Sequence, residues 1–134
     1  EDFALTHPGG SLGRRLLLSV KDEMITQNLP FVNKNGTMKE VVLKMTESRL
    51  GLALIGNEEK LEGIITDGDL RRSLLMSDDF TKIEIKDILN KSPMTAYEND
   101  NLQVAHERMK EARLQSLVVR NNDEKIVGVI QIFK

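Results

Sequence analysis

One stretch of this chain is written twice, and that duplication limits the possible fold more than any other feature. Lys21-Asp22-Glu23-Met24 matches Lys86-Asp87-Ile88-Leu89, and Met38 to Met45 matches Leu102 to Met109. Leu54-Ile55 then matches Val118-Val119, and Leu61-Glu62-Gly63-Ile64-Ile65 matches Ile126-Val127-Gly128-Val129-Ile130, at an offset of 64 to 65 residues. Each copy begins with a short apolar segment, Leu29 to Val32 or Met94 to Tyr97. An amphipathic helix follows, with Met38, Val41, Val42 and Met45, or Leu102, Ala105 and Met109, at helical spacing. Thr37 with Glu40, and Asp100 with Gln103, predict capping boxes at the two helix starts. A strand, a polar turn and a second strand then make a hairpin in each copy. The first copy adds a helix from Leu70 to Met76, so the unit reads β-α-β-β-α and the second copy is truncated. The fold class is therefore α+β. Neither unit alone has enough sheet to bury both faces, so the copies are expected to pack sheet to sheet or edge to edge about a pseudo-two-fold axis.

Chemistry concentrates where the first hairpin ends, in Gly63-Ile64-Ile65-Thr66-Asp67-Gly68-Asp69. Gly63 allows a ligand or a neighbouring backbone to come close. Thr66 puts a hydroxyl where the first N–H groups of a helix lack partners, a place that suits an anion. Asp69, one turn on, accepts only, which suits the paired hydroxyls of a ribose. The same residues also read as a plain T-x-x-D helix cap that needs no ligand. Asp67 repels a bare phosphate unless Arg71 or Arg72 folds back over it. In the second copy Gln131 and Lys134 stand where the first has Thr66 and Asp69, so at most one site of this kind is expected.

The rest of the composition narrows the function by exclusion. Among 134 residues, 19 Lys and Arg are interspersed with 21 Asp and Glu, for a net charge of -2, so no basic stripe points to nucleic acid. There is no Cys, and two distant His cannot make a zinc site, so neither a disulfide framework nor a metal is expected. No apolar run approaches the ~20 residues of a membrane span and no signal peptide opens the chain, which makes the cytoplasm the simplest compartment. The methionines fall on core faces, and His106, which matches apolar Val42, is expected at the buried margin of its helix. The opening at Glu1 instead of Met leads us to expect a piece of a longer chain. His7-Pro8-Gly9-Gly10-Ser11-Leu12-Gly13 reads as a connector, because its glycine spacing matches no phosphate-binding fingerprint. Leu16, Leu17, Leu18 and Val20 are expected to cover apolar surface next to the module that follows.

A tandem repeat of this length with Gly63-Ile64-Ile65-Thr66-Asp67-Gly68-Asp69 at the end of a strand resembles the CBS domain pair, or Bateman module. The resemblance implies that Thr66 and Asp69 contact phosphate and ribose of a nucleotide, with Gly63, Ile65, Gly68, Arg71 and Arg72 around them. It also implies a base among Leu29, Pro30, Phe31, Pro93 and Met94. Together with Asp2-Phe3-Ala4-Leu5, His7-Pro8-Gly9-Gly10-Ser11-Leu12-Gly13-Arg14 and Thr66-Asp67-Gly68-Asp69-Leu70-Arg71-Arg72, the chain is similar to the C-terminal part of arabinose 5-phosphate isomerases. These enzymes make the precursor of Kdo for lipopolysaccharide or capsule. On that likeness residues 1–20 are a linker from a missing sugar-isomerase (SIS) domain, 21–83 a first repeat and 84–134 a second. His7 would be a catalytic residue only in the full-length enzyme, and this stretch alone is expected to be inactive. The implied partners are the SIS domain and further copies, as a dimer of CBS pairs within a tetrameric parent, with no cofactor. The implied regulatory ligand is an adenine nucleotide or CMP-Kdo, which offers a ribose for Asp69, a phosphate for Thr66 and a carboxylate for Arg71 or Arg72. A ligand-free scaffold that holds oligomers together is the alternative.

Overall fold

Two three-stranded sheets, one from each repeat, form the centre of the computed structural model, which describes residues 17–132. His7 and the rest of the connector lie outside the described residues, as do Leu16, Phe133 and Lys134. In the first sheet β1 (Phe31–Val32) runs parallel to β2 (Leu52–Gly56), and β2 pairs antiparallel with β3 (Leu61–Thr66). Parallel neighbours need a crossover, which α1 (Met38–Ser48) supplies, and α2 (Asp67–Ser73) follows β3. After the short α3 (Ile85–Ile88) the second sheet repeats the scheme with β4 (Thr95–Tyr97), α4 (Leu102–Ala112), β5 (Ser116–Arg120) and β6 (Ile126–Gln131). The turn between β2 and β3 is one residue shorter than that between β5 and β6, which raises the offset from 64 at the long helix and the first hairpin strand to 65 at the second hairpin strand.

Strand alternation divides the core into three layers. Ala53, Ile55 and Ile65 point to one face and bury against Val41 and Met45 of α1. Leu117, Val119 and Ile130 do the same with Ala105 and Met109 of α4. The opposite faces meet each other, where Leu52, Leu54 and Ile64 pack on Val118 and Val129. The repeats thus lie sheet to sheet with helices outside. Each fully buried leucine or isoleucine at this seam is worth about 2 kcal/mol.

The segments that precede each repeat are exchanged. Val20 is fully buried in the core of the second repeat, and Ile25 exchanges both backbone hydrogen bonds with Val129 of β6, at 2.8 and 3.0 Å. Conversely, Ile83 and Ile85 enter the core of the first repeat, and Asn90 exchanges bonds with Ile64 of β3, at 2.9 and 3.0 Å. Each arm covers the strand edge that the other repeat's hairpin leaves open. This explains the duplicated glycine. A Cβ on Gly63 would strike the Asn90 carbonyl and the Leu89 side chain, and one on Gly128 would stand 2.8 Å from the Ile25 carbonyl oxygen. Of the two partners that the sequence allows Gly63, the neighbouring backbone is the one that occupies the space.

Several elements differ from the sequence reading. Helix α2 starts at Asp67, directly after the strand, because Thr66 caps it there, and Leu74 to Met76 turn with i to i+3 bonds instead of extending it. Asn101 caps α4 in place of Asp100, since the Asp100 carboxylate accepts the Tyr97 N–H at 2.9 Å. His106 is more deeply buried than Val42, because the arm covers it and brings the Glu23 carboxylate within 3.6 Å of its Nε2. Met38, Met45 and Met109 fill cores, whereas Met76 and Met94 are exposed. Val20 is buried, but Leu17 lies open to solvent. No helix among the described residues is long and apolar enough to cross a membrane.

Candidate functional site

The end of β3 delivers Thr66 and Asp69 into a closed cap. The Thr66 N–H donates to Asp69 Oδ2 at 2.9 Å, and the Asp69 N–H donates to Thr66 Oγ1 at 3.2 Å. Arg72 completes it, donating from Nη2 to Asp69 Oδ1 at 2.8 Å. Asp67 sends its N–H to the Gly51 carbonyl at 3.1 Å. The first donors of α2 are therefore largely spent on protein, and the cap forms without a ligand. Capacity nevertheless remains. Each Asp69 oxygen accepts one of these bonds and keeps a second lone-pair direction, and Thr66 Oγ1 still carries its proton.

Beside this cap lies a hollow of about 570 Å³ between the repeats. Thr66, Asp67, Gly68, Arg71 and Arg72 form one wall, and the turn from Ala112 to Ser116 forms the other. A second hollow of about 350 Å³, with Val42, Met45 and Leu70 as apolar walls and Arg49, Gln115 and Gln131 as polar ones, shares Leu50, Gly51, Asp67 and Gln115 with the first. The two make one groove. Ser116 ties the repeats together at its floor, donating from Oγ to the Leu50 carbonyl at 2.6 Å.

The groove is electropositive. Arg49, Arg71, Arg72 and Arg113 line it against the single carboxylate of Asp67, and of the four arginines only Arg72 has an ion-pair partner among the described residues. Arg49 and Arg113 hold the same place in both repeats: each ends the long helix in left-handed conformation, with φ of 60° and 59°. That conformation costs an ordinary side chain about 1 kcal/mol. Sequence reasoning passed over both. Their signal was available, since Arg49-Leu50 and Arg113-Leu114 stand 64 residues apart within the repeat.

Of the residues singled out from sequence, Thr66, Gly68, Arg71 and Arg72 come together on the hollow, with Asp69 just behind them. Gly63 lies under the exchanged arm, and Ile65 is fully buried in the first core. Phe31 packs at the seam and lines a separate hollow with Asn33 and Lys60. Pro30 lines another with Lys44 and Glu47, and Pro93 and Met94 lead into β4. None of these last four lines the arginine-walled groove.

Relatives fit this architecture. The chain is 43% identical over 131 residues to a probable arabinose 5-phosphate isomerase of Haemophilus influenzae. It is 38% identical over 133 residues to the arabinose 5-phosphate isomerase KpsF of Escherichia coli. The alignments cover 97% and 98% of this chain but only 39% and 40% of those relatives, so the chain spans about two fifths of their length. Among solved structures, a CBS domain protein from Pyrobaculum aerophilum complexed with AMP superposes with a TM-score of 0.74 at 23% identity, covering 85% of this chain and 87% of that one. The family model for the CBS domain matches twice, over residues 20–76 and 85–132. Two matches in one chain, on two copies of one fold, place it in the CBS domain family, as a CBS domain pair.

Proposed function

We propose that this chain is the regulatory, nucleotide-binding module of an arabinose 5-phosphate isomerase in Kdo synthesis, and that a nucleotide or sugar nucleotide binds in the groove beside Thr66. The observation that carries this reading is the arginine-lined hollow between the repeats, which suits a phosphate at Arg71 and Arg113 and a ribose at Thr66 and Asp69. AMP in the Pyrobaculum relative supports the ligand class, and the isomerase names of the longer relatives support the parent. CMP-Kdo, an end product, suits the groove because its sugar carboxylate adds a second anion for a second arginine. Catalysis belongs to a SIS domain elsewhere in the parent, with His7 at the junction reaching its active site, and this module alone turns over no sugar phosphate. Regulation requires that the ligand favour one of two states of the enzyme. Calorimetric titration with CMP-Kdo, AMP and ATP tests the proposal; no heat and no thermal shift with any of them would overturn it.

A second reading, a scaffold that joins copies of the parent, is favoured by one observation. Leu74, Leu75 and Met76 stand exposed in a row, Leu75 at 87%. It predicts a dimer in light scattering that ignores nucleotides and dissociates on Leu75→Glu.

A further inference from the structure

Gln131 takes the place in the second repeat that Thr66 takes in the first: it lies opposite Ser116 on β6 and β5, as Thr66 lies opposite Leu52 on β3 and β2. Its side chain is more than a lost hydroxyl. It lines the smaller hollow with Val42, Met45 and Leu70, apolar walls suited to a flat ring.

The partners around this amide favour one orientation of its two ends. Ser116 has one hydroxyl proton, and it goes to the Leu50 carbonyl at 2.6 Å. Toward Gln131 the Ser116 oxygen can therefore only accept, and the Arg49 carbonyl can only accept. Gln131 Nε2 stands 3.5 Å from each, so both contacts place the NH₂ group against protein. The carbonyl oxygen Oε1 is the other end, and among the described residues it receives no hydrogen bond. Gln131 is half-exposed, so Oε1 is open to a ligand group that donates.

We infer that Gln131 is a specificity residue, whose Oε1 accepts a hydrogen bond from the exocyclic amino group of a base seated between Val42, Met45 and Leu70. The two hollows adjoin along Leu50, Gly51, Asp67 and Gln115, so the phosphate of the same ligand would lie at Arg71 and Arg113 in the larger one. Adenine and cytosine offer an amino group there; hypoxanthine and uracil offer an oxygen, which faces Oε1 lone pair to lone pair. The inference rests on the nucleotide reading and sharpens it.

The test is calorimetric titration of the 134-residue chain with AMP, IMP, CMP and UMP, in the wild type and in Gln131→Leu. AMP should bind about tenfold more tightly than IMP, and CMP about tenfold more tightly than UMP. In Gln131→Leu the preference should fall to about twofold or less while AMP still binds. Equal affinities within each wild-type pair, or a preference that survives Gln131→Leu, overturn the inference and leave nucleotide binding intact. Failure of all four to bind the wild type overturns both. The wild-type pairs decide on their own if the variant does not fold.

Discussion

Thr66 and Asp69 serve two purposes, and their energetics separate them. Each satisfies a backbone donor of the other, so Thr66→Ala leaves the Asp69 N–H without its cap acceptor and should cost about 1 kcal/mol in urea denaturation, with Asp69→Ala costing about the same. The Arg72 ion pair adds little to the second figure, because its side chain is 70% exposed. Because the two residues share one cap, the double variant should cost less than the sum of the singles. Additive losses would mean that the cap does not act as a unit. Sequence alone made this pair legible as both cap and ligand site, since T-x-x-D has one spacing for either use. The hollow beside it was not legible, because half of its wall comes from Arg113 and its neighbours, on a turn that periodicity treats as mere punctuation.

Among the elements, the exchanged arms were the part hidden from the sequence. Lys21-Asp22-Glu23-Met24 and Lys86-Asp87-Ile88-Leu89 are visible as a repeat, but likeness between copies does not say which sheet each one joins. The glycine does carry the trace. Gly63→Ala pushes a methyl into the Asn90 backbone, and Gly128→Ala pushes one into Ile25 and Met24 with slightly more room. Both should destabilise by about 1 to 3 kcal/mol, Gly63→Ala the more, and equal melting temperatures for wild type and Gly63→Ala would contradict the crossing of the arms. The first arm also has an acid-sensitive contact. Ser19 donates its backbone N–H, then its hydroxyl, to the Asp22 carboxylate, and holds that carboxyl below its usual pKa. A lowered folded-state value means that this contribution is complete above the ordinary aspartate pKa and is lost as pH falls through the lowered one. The protection of the Ile25 amide against exchange, taken relative to its intrinsic rate at each pH, should therefore fall below about pH 4 in the wild type, and Asp22→Asn should flatten that dependence.

At the scale of the whole molecule, the seam and the arms make the two repeats one folding unit. Leu54 of the first repeat packs on Val118 and Val129 of the second, the Ile126 N–H donates to the Glu58 carbonyl at 2.8 Å, and Lys125 pairs with Glu59 at 3.3 Å across the hairpin turns. Removing an arm would strip the edge of the other repeat's sheet, so neither half is expected to stay folded while the other melts. The chain provides its own probe for this: it has one tyrosine and no tryptophan, and Tyr97 lies on β4 of the second repeat, bonded through its hydroxyl to Glu124. Leu54→Ala opens a cavity at the seam from the first repeat's side and should cost about 2 to 5 kcal/mol. Tyrosine fluorescence, which sees the second repeat, and far-ultraviolet circular dichroism, which sees both, should then shift to the same lower urea midpoint. If the tyrosine transition stayed where it was while the dichroism split into two steps, the repeats would be separate domains. A ligand held by Thr66 on one and Arg113 on the other would then bridge independent bodies instead of filling a groove in a single rigid one.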